Sequence, residues 1–488
     1  MKKIKLIFLS IIFALIPFYM AAVGDTYIYD IWGDIEHSPD AYRVTNVFYA
    51  KDFGLEKNFV SPSSLFCKGN LLYLVDSGNN RIIEFTYRED KTLEFNRIIE
   101  SFNAPEGIVN TFASPTDIYV NKDGSFFIAD TNNGRVVKLD SELNYLFSFV
   151  EPDDANYEKG KNFLPEKVIA DSKGRAYILA KNVNKGFLKY ESDGTFTGFY
   201  GASEVTYNWT DYIWKRLSTR AQREQMESFV PTEYTNAYLD NEGFIFAVIK
   251  NFKPEELMDD MAKPIRRLNA LGGDILIKNW DLPIGDLQWG GTAGLDTPSH
   301  FNDITVLNNE VYIALDETRG RLFAYDNQGE LLFAFGNSGN IDGYFRLPVS
   351  LEHYNRDLFV LDQAACTITL FSSTQFGDYV YNAIEYYSEG KYDLSAAEWE
   401  KVMKLNGNYD LAYGGIGKAK LRQNEYKEAM KYFKVKCYRK KYSKALMYYR
   451  KEWIEANLGW LLLILCVLIF VPFIIKGIKA FRKELASL

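Results

Sequence analysis

The chain has 488 residues, of which 47% are hydrophobic, so it can bury a large core and is too long for one ordinary domain. A net charge of −8 speaks against a nucleic-acid binder, which needs a basic face. Four cysteines (Cys67, Cys366, Cys437, Cys466) and three histidines, at spacings that form no metal knuckle and no disulfide framework, exclude a cysteine-stapled or zinc-ribbon fold.

Residues 1–24, "MKKIKLIFLSIIFALIPFYMAAVG", have a basic start, an apolar run and small residues at Ala22 and Gly24. They read as a signal peptide or an uncleaved signal anchor. The next recognisable element is an isolated aromatic strand, "VTNVFYA", from Val44.

From there to about residue 375 the chain repeats itself. "VDSGNNRIIEF" at Val75 and "ADTNNGRVVKL" at Ala129 share one skeleton. It consists of an apolar strand, an Asp, an Asn/Gly turn, an Arg five residues after the Asp, and a second apolar strand. Asn and Gly tolerate the positive φ of a tight hairpin. The Asp carboxylate can accept turn N–H groups or pair with the Arg across the hairpin. The pairs are Asp76 with Arg81 and Asp130 with Arg135, and the fifth copy restores them as Asp316 with Arg321. The third copy has Ala180 and Lys185 at these places, a fourth starts at Val230, and the sixth keeps Asp362 but has Thr367 at the Arg position. A strand precedes each hairpin, as in "SPSSLF" at Ser61 and "SPTDIYV" at Ser114, and most units add an aromatic fourth strand. Four antiparallel strands repeated six times predict a mainly β fold, a six-bladed β-propeller over residues 40–375. The sixth unit lacks an outer strand, so the strand at Val44 is expected to close the last blade and remove its free edge.

The Pro-led inner strand, the "DG" before the second strand and the D-[ST]-x-N-x-R turn resemble the NHL-repeat family, most clearly in units one, two and five. That resemblance implies a propeller used as a binding platform more firmly than it implies an activity.

Three departures from the repeat stand out: residues 203–228 between units three and four, 251–264 within unit four, and 280–300 between units four and five. By strand alternation all three leave the face where the inner strands begin. Long loops on a rigid scaffold are where ligand and partner contacts concentrate. The same face is expected to hold the channel mouth. There the inner strands begin with Ser64, Asp117, Lys167, Glu233, Asp303 and Ser350, a ring able to bind a small polar ligand. Its carboxylates Asp117, Glu233 and Asp303 could hold a Ca²⁺ ion through oxygen. Related six-bladed propellers include metal-dependent gluconolactonase-like hydrolases, the alternative reading that these three residues keep open. A His-bound zinc lyase is not supported, because His37, His300 and His353 do not converge by alignment. Nothing else forms a catalytic constellation.

After the propeller the pattern turns helical. Residues 379–455 align with themselves at a 34-residue period, matching Tyr392 with Tyr426 and Trp399 with Phe433. The alignment resembles tetratricopeptide repeats. Residues 458–475, "LGWLLLILCVLIFVPFII", are 18 uncharged residues, enough at ~1.5 Å per residue to approach a ~30 Å hydrocarbon core. A basic tail, 476–488, follows and is expected to be cytoplasmic. From Tyr379 onward Lys and Arg number 20 against 11 Asp and Glu, so the part before carries −17. The sequence therefore reads as a membrane-anchored, extracytoplasmic binding or scaffold protein. Its partner would be a protein or a small polar ligand, with the single C-terminal span in the membrane.

Overall fold

The computed structural model describes residues 26–487, apart from residue 31 and residues 155–156, 158–161, 182, 184, 203–233, 251–262, 279–283, 287–298 and 309–310. The signal segment and most of the three long insertions therefore lie outside the described residues. The chain divides into two units, Met1–Asp378 and Tyr379–Leu488.

The first unit is a six-bladed β-propeller. Its N-terminal strands are β1 (Tyr27–Tyr29), β2 (Ile35–His37) and β3 (Tyr42–Phe48). Blade one is β4 (Pro62–Lys68), β5 (Leu71–Asp76), β6 (Arg81–Tyr87) and β7 (Leu93–Ile99). Blade two is β8 (Pro115–Val120), β9 (Phe126–Asp130), β10 (Arg135–Leu139) and β11 (Tyr145–Phe149). Blade three is β12 (Pro165–Ala170), β13 (Ala176–Ala180), β14 (Phe187–Tyr190) and β15 (Phe196–Tyr200). Blade four has three described strands, β16 (Tyr234–Leu239), β17 (Ile245–Ile249) and β18 (Ile265–Leu268). Blade five is β19 (Phe301–Val306), β20 (Tyr312–Asp316), β21 (Arg321–Tyr325) and β22 (Leu331–Phe335). Blade six is β23 (Pro348–Tyr354), β24 (Asp357–Asp362) and β25 (Thr367–Ser373), and β3 pairs antiparallel with β25 as its outer strand. The N-terminal closure expected from the missing strand is thus present.

The hairpins follow the turn chemistry. The residue before each Arg is left-handed, Asn80 at φ 53° and Gly134 at φ 64°, a conformation cheap for Asn and Gly. Between the blades, alternate residues of neighbouring sheets interdigitate. Leu72, Leu74, Ile83 and Phe85 pack with Phe359, Leu361, Ile368 and Leu370 between blades six and one.

Residues 25–39 carry no repeat signal, yet they add a hairpin. Strand β1 pairs with β22 and with β2, so blade five is a six-stranded sheet. Strands of three residues have no readable period, which is why the sequence pattern does not announce them.

The second unit is helical. Helix α1 (Gln375–Ser388) crosses its boundary, and α2 (Tyr392–Leu405), α3 (Asp410–Arg422), α4 (Tyr426–Val435) and α5 (Arg439–Leu485) follow. Gly415 lies so close to Trp399, and Gly417 to Phe433, that an added Cβ would fall 2.2 and 2.5 Å from those rings. Large and small residues thus interlock between α2, α3 and α4, with Trp399 and Phe433 buried. Helix α5 is 47 residues long, and its most apolar window has a mean hydropathy of 3.0 with none of it buried.

Candidate functional site

Every described inner strand carries the same irregularity. In β4, β8, β12, β16, β19 and β23 the register slips by one residue just after the first residue of the strand. Such a bulge leaves a backbone N–H without a ladder partner. The residue after the bulge faces the channel axis, and alternation turns every second residue after it the same way. The first level is Ser64, Asp117, Lys167, Asn236, Asp303 and Ser350. Five of the six expected residues are there. In blade four the strand starts at Tyr234, so Asn236 takes the place assigned to Glu233. Glu233 lies outside the described residues. The three-residue slip arises because Pro231, which matches the leading Pro of most other units in the sequence, stands three residues before the strand's first residue, Tyr234.

The ring is drawn together into one hydrogen-bonded belt. Ser64 Oγ donates to Asp117 Oδ1 at 2.6 Å, and Val168 N donates to Asp117 Oδ2 at 2.8 Å. Asn236 Nδ2 and Ile304 N donate to Asp303 Oδ1, each at 2.7 Å. Ser350 Oγ at 2.9 Å and Leu351 N at 2.7 Å donate to Asp303 Oδ2, and Leu65 N donates to Ser350 Oγ at 3.1 Å. Lys167 Nζ stands 3.5 Å from Asp117 Oδ1. These side chains therefore cap the N–H groups that the bulges free, mostly across blade seams. Lys167 cannot accept a hydrogen bond, and Ala237 N, one blade on, bonds instead to Oδ1 of its own neighbour Asn236 at 2.8 Å. Burial pushes Asp303 up to about 6 in spite of its four donors.

This geometry changes what the ring can do. Ser64, Asp117, Asn236, Asp303 and Ser350 are all buried, so this end of the channel is sealed rather than an open mouth. All four carboxylate oxygens of Asp117 and Asp303 already accept hydrogen bonds. Among the described residues no three His, Cys, Asp or Glu side chains are placed to hold one metal ion. The expected Ca²⁺ set of Asp117, Glu233 and Asp303 is thus not assembled by the described residues.

The repeat carboxylates are also structural. Asp76 accepts Val60 N at 2.7 Å and both Asn79 Nδ2 and Arg81 Nε at 2.8 Å. Asp130 accepts Ala113 N at 2.7 Å, Asn133 Nδ2 at 2.8 Å and Arg135 Nε at 2.9 Å. Each clasps the segment entering its blade to the hairpin. Unit five departs from this. Asp316 and Arg321 are register partners, but Arg321 bonds Asp286 instead, and Arg319 stands 3.7 Å from Asp316. The cause is the N-terminal hairpin. Tyr27 and Tyr29 hydroxyls donate to Asp286 at 2.5 and 2.6 Å, and this buried carboxylate then draws the Arg321 guanidinium away from Asp316.

A cavity of about 410 Å³ runs from the sealed ring to the turns that join first and second strands, reaching Gly69, Lys122 and Gly243. Its walls include Phe66, Tyr119, Ile169, Tyr238 and Glu352, the channel-facing residues one level below the ring. Alternation along the sequence assigns Glu352 to a wall only, and the assembled ring makes that wall a cavity.

The NHL repeat family matches residues 112–139, which hold the clasp of blade two. No curated protein matches the chain. Among solved structures, selenomethionine-substituted virginiamycin B lyase from Staphylococcus aureus is 10% identical and aligns over 68% of this chain and 100% of its own, at a TM-score of 0.41. A streptogramin B lyase is 11% identical over 69% of this chain and 100% of its own, at 0.41. A protein of unknown function from Bacteroides caccae is 10% identical over 57% and 81%, at 0.34. The chain is therefore a six-bladed β-propeller with an NHL repeat in its second blade, followed by helices of which the last is long and apolar.

Proposed function

We propose that this protein is a membrane-anchored, extracytoplasmic binding or scaffold component, an accessory of an envelope or transport complex. It engages a protein partner or a small polar ligand through the propeller face that bears the insertions at 203–228, 251–264 and 280–300. The observation that carries this reading is α5. Its window around residues 458–475 is apolar on every side and bare, which suits lipid and not water. The tail at 476–488 then lies in the cytoplasm, and the N-terminal 24 residues direct the propeller outward. Helices α1–α4 serve as a tetratricopeptide-like stalk, a reading that the Trp399–Gly415 and Phe433–Gly417 contacts support. The ring and clasp carboxylates are spent on the scaffold, which favours binding over hydrolysis.

Cysteine labelling tests the reading, in a background where the four native cysteines are replaced by Ser. A Cys in residues 205–228 should react with an impermeant maleimide on intact cells. A Cys after Lys479 should react only after lysis. Labelling in the reverse order places the propeller in the cytoplasm and ends the proposal.

A further inference from the structure

The cavity below the ring is lined by two ionisable groups to which the fold gives little or no hydrogen bonding. Glu352 is 7% exposed, and its one hydrogen bond comes from the backbone N–H of the adjacent His353 at a long 3.3 Å. Lys68 Nζ is buried without a hydrogen-bond partner. Both residues line the same cavity, one level apart on neighbouring strands β23 and β4. A buried polar group left unpaired costs about 1–3 kcal/mol, and more when charged, so two facing one space mark a ligand that completes them.

The surroundings set the ligand's polarity. At the sealed end Asp117, Asp303 and Glu352 stand against a single ammonium, that of Lys167. Between ring and turns the wall is aromatic. Phe66 and Tyr119 lie 5.0 Å apart, centroid to centroid, and Tyr238 lines the same space. Aromatic faces beside a carboxylate are the environment in which organic ammonium groups bind. Toward the turns Asp240 and Glu242 are held by Arg267 and Asp171 by Arg175, while Lys68 Nζ, with the Asp123 carboxylate nearby, makes no hydrogen bond. We propose that this cavity binds a small zwitterion, with its ammonium seated on Glu352 against Phe66, Tyr119 and Tyr238 and its carboxylate on Lys68. The site is separate from the insertion-bearing face, and neither depends on the other.

Burial and the nearby Asp303 and Asp117 push the Glu352 carboxyl well up, against the opposing pull of the His353 N–H and of Lys167. An arriving ammonium favours its ionised form and offsets that push.

Isothermal titration on the full chain in detergent tests this with glycine betaine, choline and 3,3-dimethylbutanoate. These three share one bulk; the second lacks the carboxylate and the third lacks the positive charge. Betaine should bind at least about tenfold more tightly than either of the others. Glu352→Gln, which keeps the shape but cannot carry the charge, should weaken betaine at least about tenfold. Lys68→Met should bring betaine and choline to equal affinity. Equal binding of all three compounds, or no binding at millimolar betaine, would overturn the assignment.

Discussion

Asp303 accepts the backbone N–H of Leu351 at 2.7 Å across the seam between blades five and six. Asp117 does the same for Val168 between blades two and three, and Ser350 for Leu65 between blades six and one. The bulge beginning each inner strand creates the unpaired N–H, and at these three seams the previous blade's channel residue satisfies it. One residue position thus does in this propeller what a helix cap does for a helix end.

Asp303 gives this device a pH signature. Its folded value of about 6 lies above the ordinary carboxylate value of 3.8, so the folded state holds the proton more tightly. Between those values stability falls as pH rises, and the loss is complete above the folded value. The shift corresponds to about 3 kcal/mol. Asn cannot ionise, so the advantage of wild type over Asp303→Asn should shrink by about that amount from about pH 3 to about pH 7. Urea unfolding of both proteins across that range measures it. A gap independent of pH would mean that Asp303 is ionised throughout.

Closure by β3 makes a second prediction. Its pairing with β25 runs from Tyr42 opposite Ser373 to Phe48 opposite Ile368. Deleting residues 40–52 leaves β25 as a bare edge and uncovers the side of Phe371. The single cooperative melting transition of the propeller should be lost. A truncated protein that melts as the full chain does would show the closure to be dispensable.

The fold was legible because its signal is redundant. The Asp–turn–Arg hairpins at Asp76 and Asp130 recur at a fixed spacing and are flanked by strands of the right period, so one poor copy, such as blade three with Ala180 and Lys185, does not hide the others. The channel ring was legible in five of six positions for the same reason. It failed in blade four, where Pro231 stands three residues before the strand's first residue, Tyr234, and draws the register with it, whereas blade five, which leads with Phe301, offers no such misplaced Pro. Asp286 and the β1–β2 hairpin could not be read. Tyr27 and Asp286 are 259 residues apart, and no local pattern announces so distant a bond.

That hairpin yields a third prediction. Asp286 is 1% exposed and accepts both tyrosine hydroxyls and Arg321. Tyr29→Phe removes one donor to a buried carboxylate and should cost about 1–3 kcal/mol. The effect should be local, because β1 joins the sheet only at its edge. Amide exchange at 27–37 should rise while blades one and two keep their protection. Unchanged exchange in that segment would show that edge pairing alone holds the hairpin.

The clasps are not equivalent, and their differences can be ranked. In blades one and two the Asp is fully buried and faces an Arg that is 3% and 9% exposed. Removing Asp130 leaves Ala113 N–H uncapped and strands the Arg135 guanidinium without its anion. Breaking a buried pair from one side typically costs about 3–5 kcal/mol. In blade six the same carboxylate, Asp362, accepts Arg346 N at 2.6 Å and Ala365 N at 2.8 Å, but Thr367 stands where the Arg would be. Its loss frees backbone donors only, at about 1–3 kcal/mol. Asp130→Ala should therefore destabilise the propeller more than Asp362→Ala, and Asp76→Ala should resemble Asp130→Ala. Pairing Asp76→Ala and Asp130→Ala with the Arg→Met change of their own clasp separates the charge from the cap. Asp130→Ala/Arg135→Met should recover part of the loss, because the stranded cation is gone while the uncapped N–H remains. If Asp130→Ala and Asp362→Ala cost the same, or if Arg135→Met rescues nothing, the Asp of this repeat is a backbone cap alone and the Arg is incidental to it.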